Sequence, residues 1–261
     1  MDNGLTVTLL PKAGYHKTYA TFTTNYGSID NTFVPAGSTE MQRFPDGIAH
    51  FLEHKMFEKA DHDAFQIFGQ YGASANAFTS FTKTSYLFSA TRHLQDNLMT
   101  LLDFVQDPYF TPATVDKEKG IIGQEIEMYD DDPSWRLYFG MIGNLYPNHP
   151  LQYDIAGTTE SIAKITADDL YAAYRTFYHP ENMTLFVVGN FDPDEVLGWI
   201  TTNQATKKNL LPFNRLNVRF LKPQRMDMTL FLIGRLICQS IGPNQSLVSK
   251  ACCRLKRGLL L

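Results

Sequence analysis

The sequence contains little cysteine, and all of it lies late in the chain, at Cys238, Cys252 and Cys253. A body without cysteine holds no disulfide framework, which favours a reducing compartment. No apolar run reaches about 18 residues, so the sequence predicts no transmembrane helix. The N-terminus, MDNGLTVTLLPK, lacks the basic and apolar regions of a signal peptide. We therefore expect a cytoplasmic protein with no membrane partner.

Acidic residues are almost absent from the last part of the chain. Residues 1–200 contain 12 Lys and Arg against 26 Asp and Glu, a net charge of −14, whereas residues 201–261 contain 11 basic residues and one acid, a net charge of +10. A basic tail can bind nucleic acid, but this one has apolar residues throughout, and we expect no nucleic-acid partner. We expect one domain over 1–203 and a truncated or out-of-frame ending over 204–261.

The most informative motif is the stretch His50-Phe51-Leu52-Glu53-His54. In a helix, at about 100° per residue, its two histidines and its glutamate fall within one narrow sector. Two neutral imidazoles one turn apart can bind one Zn²⁺, and Glu53 can accept a proton from a water that the metal activates. The order H-x-x-E-H is the inverse of the commoner zinc protease motif. The alternative is a surface helix with two solvated histidines.

A catalytic zinc site needs a third protein ligand and an open position for water. None of the remaining histidines has a second metal-binding residue at the spacing of a ligand pair; His62 is the one nearest to the motif in the sequence. Residues 112–130 form a predicted helix in which Glu118 and Glu125, seven positions apart, lie on one face. A carboxylate beside apolar residues is costly to bury unless it is paired or binds a metal. From the residues alone, an ordinary charged helix face remains the alternative.

Several motifs together resemble the peptidase M16 family, which includes pitrilysin, insulysin and the mitochondrial processing peptidases. They are, in order, HFLEH, GASANAFT with Thr84-Ser85-Tyr86, EKGIIGQE, and FYHPENM with Val187-Val188-Gly189. The run IGQEIEMYDDDPSWRLYFG looks closest to a bacterial YmfH-like branch of zinc peptidases. The resemblance covers roughly residues 3–200. It implies that Glu125 is the third zinc ligand and that Glu118 supports the site from behind the ligands.

The resemblance also implies how the chain meets a substrate and a partner. Asn76 and Ala77, on a predicted edge strand, are expected to bind a peptide as an added strand through backbone hydrogen bonds. The alternative is that Asn76 is only a turn or ladder residue. Family members pair the zinc-bearing half with a similarly folded second half or a paralogous subunit, so we expect such a partner.

The expected function is that of a zinc-dependent metalloendopeptidase, of which this chain is one half. Glu53 is the expected general base, and His50, His54 and Glu125 are the expected zinc ligands. The alternatives are a non-catalytic peptide-binding or structural subunit and an inactive truncated fragment. Non-catalytic subunits of the family typically lose the zinc-binding set, and this chain retains it.

The pattern of apolar residues predicts interleaved strands and helices without a regular βαβ alternation, which favours the α+β class. With the resemblance, we expect a mixed or antiparallel sheet flanked by helices, as in an M16 half of the LuxS and processing-peptidase type. Asp46 is the expected N-cap of the motif helix. The expected strands lie at about 5–10, 18–26, 73–80, 84–90 and 183–188, and the expected helices at about 46–58, 62–70, 92–106, 112–130, 133–145, 166–178 and 192–203.

Overall fold

The computed structural model describes residues 1–207, so most of the predicted ending, from residue 208 onward, lies outside the described residues. In the described part the strands are β1 (Thr6–Pro11), β2 (Thr18–Thr24), β3 (Thr32–Phe33), β4 (Gln42–Arg43), β5 (Ser74–Thr79), β6 (Thr84–Ala90) and β7 (Met183–Gly189). The α-helices are α1 (Ile48–Phe57), α2 (Ala64–Gln70), α3 (Leu94–Val105), α4 (Pro112–Asp130), α5 (Pro133–Leu145), α6 (Thr159–Ile162), α7 (Ala167–Phe177) and α8 (Pro193–Ala205).

Five strands form one mixed sheet in the order β1-β7-β2-β6-β5. β1 and β7 pair in parallel, and the other neighbouring strands pair antiparallel. Along β7 the residues alternate between buried and half-buried, because one face of the sheet packs against helices. β5 is an edge strand that pairs with β6 on one side. The predicted α+β fold, with a mixed sheet flanked by helices, is confirmed.

Helix α1 lies in the core beside this sheet. Its apolar residues Ile48, Phe51, Leu52 and Met56 are almost completely buried. The helix contacts β5 and β6 on the sheet and also the helices α3, α4 and α7. Because it is covered on so many sides, α1 presents its polar residues at a fixed position, which is what a metal site requires.

The start of α1 differs from the prediction that Asp46 is its N-cap. Gly47 is the N-cap, with a φ of 90°, and no side chain bonds to the first turn. A Cβ at Gly47 would approach the Ala156 carbonyl oxygen to 2.4 Å, so glycine is required there for both reasons. The Asp46 carboxylate instead accepts a hydrogen bond of 2.7 Å from Asn31 and pairs with Arg43. The Asp46 side chain, which the local sequence pattern predicts as the N-cap of α1, is therefore bound by Asn31 and Arg43 instead.

Other local predictions agree with the structure in part. α7 lies within the predicted helix of about 166–178, and Thr166 and Asp169 form a capping box at its start. The segment 27–45, to which the sequence assigns neither strand nor helix, differs from the prediction because it contains the short β3–β4 ribbon. No helix within residues 1–207 is both long enough and apolar enough to cross a membrane.

Candidate metal centre

Two helices supply the polar groups of the site. α1 contributes His50, Glu53 and His54, which share a face because they lie three or four positions apart. α4 contributes Glu118 and Glu125, two turns apart on the side that faces α1. Thr111 starts α4 with a capping box, and Pro112 occupies its first turn, so both carboxylates project from a well-defined helix.

The structure brings together the two histidines of the motif and Glu125, the third zinc ligand that the resemblance implies. One ligand atom each from His50, His54 and Glu125 lies within 4.8 Å of the others. Nε2 of His50 is 3.7 Å from Oε1 of Glu125, and Nε2 of His54 is 3.4 Å from Oε2 of Glu125. Zinc bonds of about 2.0–2.2 Å at tetrahedral angles separate neighbouring ligand atoms by roughly 3.3–3.6 Å. The two distances from Glu125 are therefore close to those between neighbouring ligands of a tetrahedral zinc ion.

The ring of His54 is held from behind by Glu118. Its Nδ1 is 3.1 Å from Oε1 of Glu118, so its Nε2 points towards Glu125. Such a carboxylate fixes the orientation of a metal-binding imidazole and raises its basicity. The His50 ring lies 4.5 Å from the His54 ring, and its buried Nδ1 has no hydrogen-bond partner among the described groups. Packing, rather than a carboxylate, positions His50.

The electrostatics of the cluster favour a cation between the two helices. Burial and the neighbouring His54 lower the pKa of His50 to about 4, so its ring is neutral at pH 7, as a metal ligand must be. Burial opposes the charged form of His54, but its bonds to Glu118 and Glu125 outweigh that effect and raise its pKa to about 10. The bond to His54 lowers the pKa of Glu125 to about 2. Without a metal, His54 therefore carries the positive charge that lies between the carboxylates of Glu118 and Glu125.

Glu53 lies beside the ligands but is not one of the three. Its side chain is buried, and Oε2 accepts a hydrogen bond of 2.6 Å from the Thr79 hydroxyl. Burial raises the pKa of Glu53, and the bond from Thr79 partly offsets this rise. A buried carboxylate with a raised pKa next to a metal centre is suited to taking and returning a proton.

Asn76 and Ala77 lie on the edge strand β5, as predicted. Asn76 is exposed and pairs with Leu87 of β6, so it is a strand residue and not a turn residue. Its Oδ1 accepts a hydrogen bond of 2.8 Å from the backbone N–H of Ala77. β5 ends at Thr79, whose hydroxyl bonds to Glu53, so the edge strand ends beside the candidate metal centre. Their role in binding substrate stays a prediction.

Sequence reasoning missed an aromatic row next to Glu125. Tyr129, one helical turn after Glu125, stacks on Trp135 of α5 with ring centres 4.7 Å apart. The Trp135 ring lies 5.2 Å from that of Phe139, which in turn lies 6.2 Å from Phe81, just beyond the end of β5. These rings are half-buried. The i, i+4 spacing of Glu125 and Tyr129 was a usable signal, whereas the approach of Phe81 was not, because it depends on the tertiary fold.

Comparison with known proteins gives a consistent result. Residues 30–159 match the family model described as "Insulinase (Peptidase family M16)", and residues 164–235 match the one described as "Peptidase M16 inactive domain". The chain is 66% identical over 207 residues to YmfH of Bacillus subtilis, described as an uncharacterized zinc protease. The matched region covers 79% of this chain and 48% of that protein. It is 27% identical over 214 residues to an uncharacterized zinc protease of Rickettsia felis, covering 78% of this chain and 52% of that protein.

Solved structures agree. An M16-like peptidase from Alicyclobacillus acidocaldarius superposes with a TM-score of 0.77 at 48% identity, covering 82% of this chain and 49% of that one. The first half of the periplasmic protease PqqL from Escherichia coli superposes with a TM-score of 0.69 at 27% identity, covering 87% of this chain and 48% of that one. The chain therefore spans about half the length of the relatives that it matches.

Proposed function

We propose that this chain, which belongs to peptidase family M16, is the zinc-bearing half of a metalloendopeptidase. The observation that carries the proposal is the convergence of His50, His54 and Glu125 at zinc-ligand spacing, with Glu53 buried beside them. The relatives described as zinc proteases support it. Because the chain spans about half of their length, activity is expected when a second M16-type half or a paralogous subunit is present.

The chain's own residues support peptide hydrolysis as follows. His50, His54 and Glu125 would hold the zinc ion, which would supply Lewis-acid chemistry that makes a water more nucleophilic at neutral pH. Glu53 accepts a proton from that water and later returns it to the leaving amine. Glu118 keeps His54 oriented throughout.

The proposed substrate is a peptide or an unfolded segment, bound in an extended conformation. The free edge of β5 can pair with an added strand, since backbone groups on that side have no strand partner within the described residues. To pair there, a substrate displaces the bond that Asn76 makes to the N–H of Ala77. The aromatic row of Tyr129, Trp135 and Phe139 lies beside the metal centre and offers apolar contact to substrate side chains.

A second candidate function is a non-catalytic peptide-binding subunit. The family model that matches residues 164–235 is described as an inactive domain, which favours this reading for that segment. The complete ligand set and Glu53 instead lie within residues 30–159, matched by the insulinase model. We therefore favour catalysis.

A cytoplasmic location, favoured by the absence of cysteine from residues 1–203, stays a prediction that cell fractionation tests.

The test combines zinc content with one conservative substitution. The purified chain should hold about one zinc. With a second M16-type half present it should cleave an unfolded protein. Glu53→Gln should keep the zinc and lose hydrolysis, because the amide cannot accept the proton. Glu127→Gln, at an exposed position on α4, is the matched control. An active Glu53→Gln variant, or a chain that binds no zinc, would contradict the proposal.

A further inference from the structure

We infer that Thr79 positions the general base Glu53 and thereby couples the substrate-binding strand to the chemistry, an inference that rests on the proposed function. The Thr79 hydroxyl donates to Oε2 of Glu53 at 2.6 Å. A hydrogen bond from a hydroxyl to a buried carboxylate is short and about twice as strong as one between neutral groups. It occupies one carboxylate oxygen, Oε2, and leaves Oε1 to accept a proton.

Thr79 is itself held by the neighbouring strand. It is the last residue of β5, and its register partner is Thr84, the first residue of β6. The two hydroxyl oxygens lie 3.4 Å apart, and Thr84 donates to the backbone carbonyl of Tyr26 at 2.9 Å. Both hydroxyl protons are thus used elsewhere, and Thr79 is held by its strand position opposite the completely buried Thr84 and by contact with it. The orientation of Glu53 is thus fixed from the sheet and not only from its own helix.

The position of Thr79 on β5 gives the bond a second consequence. β5 is the strand whose free edge is proposed to accept the peptide, and its final residue contacts the base. A peptide that pairs with β5 is therefore placed in register with the same residue that orients Glu53. Catalysis needs groups held to within about half an ångström, so one residue that serves both strand and base can supply this precision.

The primary experiment compares three threonine substitutions in the zinc-loaded chain together with its second half. Thr79→Val keeps the shape but loses the hydroxyl, and kcat should fall about 10–100-fold with zinc content unchanged and KM altered less than about threefold. Thr79→Ser keeps the hydroxyl and should restore kcat to within about threefold. Thr23→Val is the control. It removes a similar hydroxyl of the sheet, which lies away from the site and is 2.7 Å from the hydroxyl of Ser85.

Two results would overturn the assignment. One is a Thr79→Val variant with the kcat of the parent chain. The other is a Thr79→Ser variant as impaired as Thr79→Val, which would mean that shape and not the hydroxyl matters.

A second measurement does not depend on activity. In the zinc-free chain, the unfolding equilibrium is measured for Thr79→Val, Glu53→Ala and the double variant. The double variant should deviate from additivity by about tenfold in the unfolding constant, because the two residues share one charge-assisted bond. Additivity within about twofold would overturn the inference. If the parent chain binds zinc but cleaves nothing, the proposed function fails, while this cycle still decides whether Thr79 holds Glu53.

Discussion

Replacing Glu118 by Gln tests whether the carboxylate behind His54 tunes the metal centre. The substitution keeps the size of the side chain but removes the negative charge that lies 3.1 Å from Nδ1 of His54. Loss of such a supporting carboxylate typically weakens metal binding about 10–100-fold, which is about 1.4–2.7 kcal/mol. The effect has a second part, because Glu118 also strengthens the hold of His54 on its own proton.

This second part makes the expected loss depend on pH. The pKa of His54 is raised to about 10, so zinc must displace a proton below that pH, at a cost of about tenfold in affinity per pH unit. Without the Glu118 charge, the pKa of His54 falls, and the competing proton leaves more easily. We therefore expect a larger loss of zinc affinity near pH 9 than near pH 7, and the full loss above about pH 10, where the parent His54 no longer holds a proton.

Competition with a chelator of known affinity, at both pH values, measures this loss. Glu127→Gln serves as the control, because it removes the same charge from an exposed position of the same helix. The reasoning is refuted if Glu118→Gln binds zinc like the parent chain at pH 9, if its loss is the same at both pH values, or if Glu127→Gln shows an equal loss.

Two further predictions follow from shifted pKa values. Zinc binding at pH 7.5 should release about one proton, because His54, with a pKa of about 10, is charged and His50, with a pKa of about 4, is not. Calorimetry in buffers of different ionisation enthalpy measures the number of protons released. A value near zero or two would contradict the prediction. Burial raises the pKa of Asp30 from 3.8 to about 6, so its contribution to stability is present below about pH 4 and is lost as the pH rises through 6. Asp30→Asn should therefore stabilise the zinc-free chain by about 1–3 kcal/mol at pH 8 relative to the parent and by little at pH 4, as urea unfolding at both pH values would show; equal effects at the two values would count against the assignment.

The parts of the site that were predictable from the sequence are those fixed by local spacing. The i, i+3, i+4 pattern of HFLEH and the seven-residue separation of Glu118 and Glu125 each define one face of one helix. That these two faces meet depends on contacts such as that of His54 with Glu118, 64 positions apart in the chain. Periodicity contains no information on such a contact, and the family resemblance supplied it.

The groups that sequence reasoning missed are those whose role exists only in the tertiary structure. Thr79 lies 26 positions from Glu53 and on a different element, and its residue type is common in any strand. Asp46 shows the converse case, because it has the right type and place for a helix cap but bonds to Asn31 instead. Both cases have one physical cause. A short polar side chain bonds to whichever partner the fold places nearest, and local propensity decides only when no such partner competes.

Helix α5 extends this argument from side chains to a whole element. Its bounds, Pro133–Leu145, agree with the prediction, because Asp132 caps it and Pro133 begins it. Yet none of its residues is fully buried by residues 1–207, and Leu137, Tyr138 and Met141 are exposed. Capping and propensity are enough to define where a helix starts and ends, whereas its burial depends on every other segment that packs on it. Such packing is a property of the assembled protein, and so the apolar face of α5 was not predictable from the helix itself.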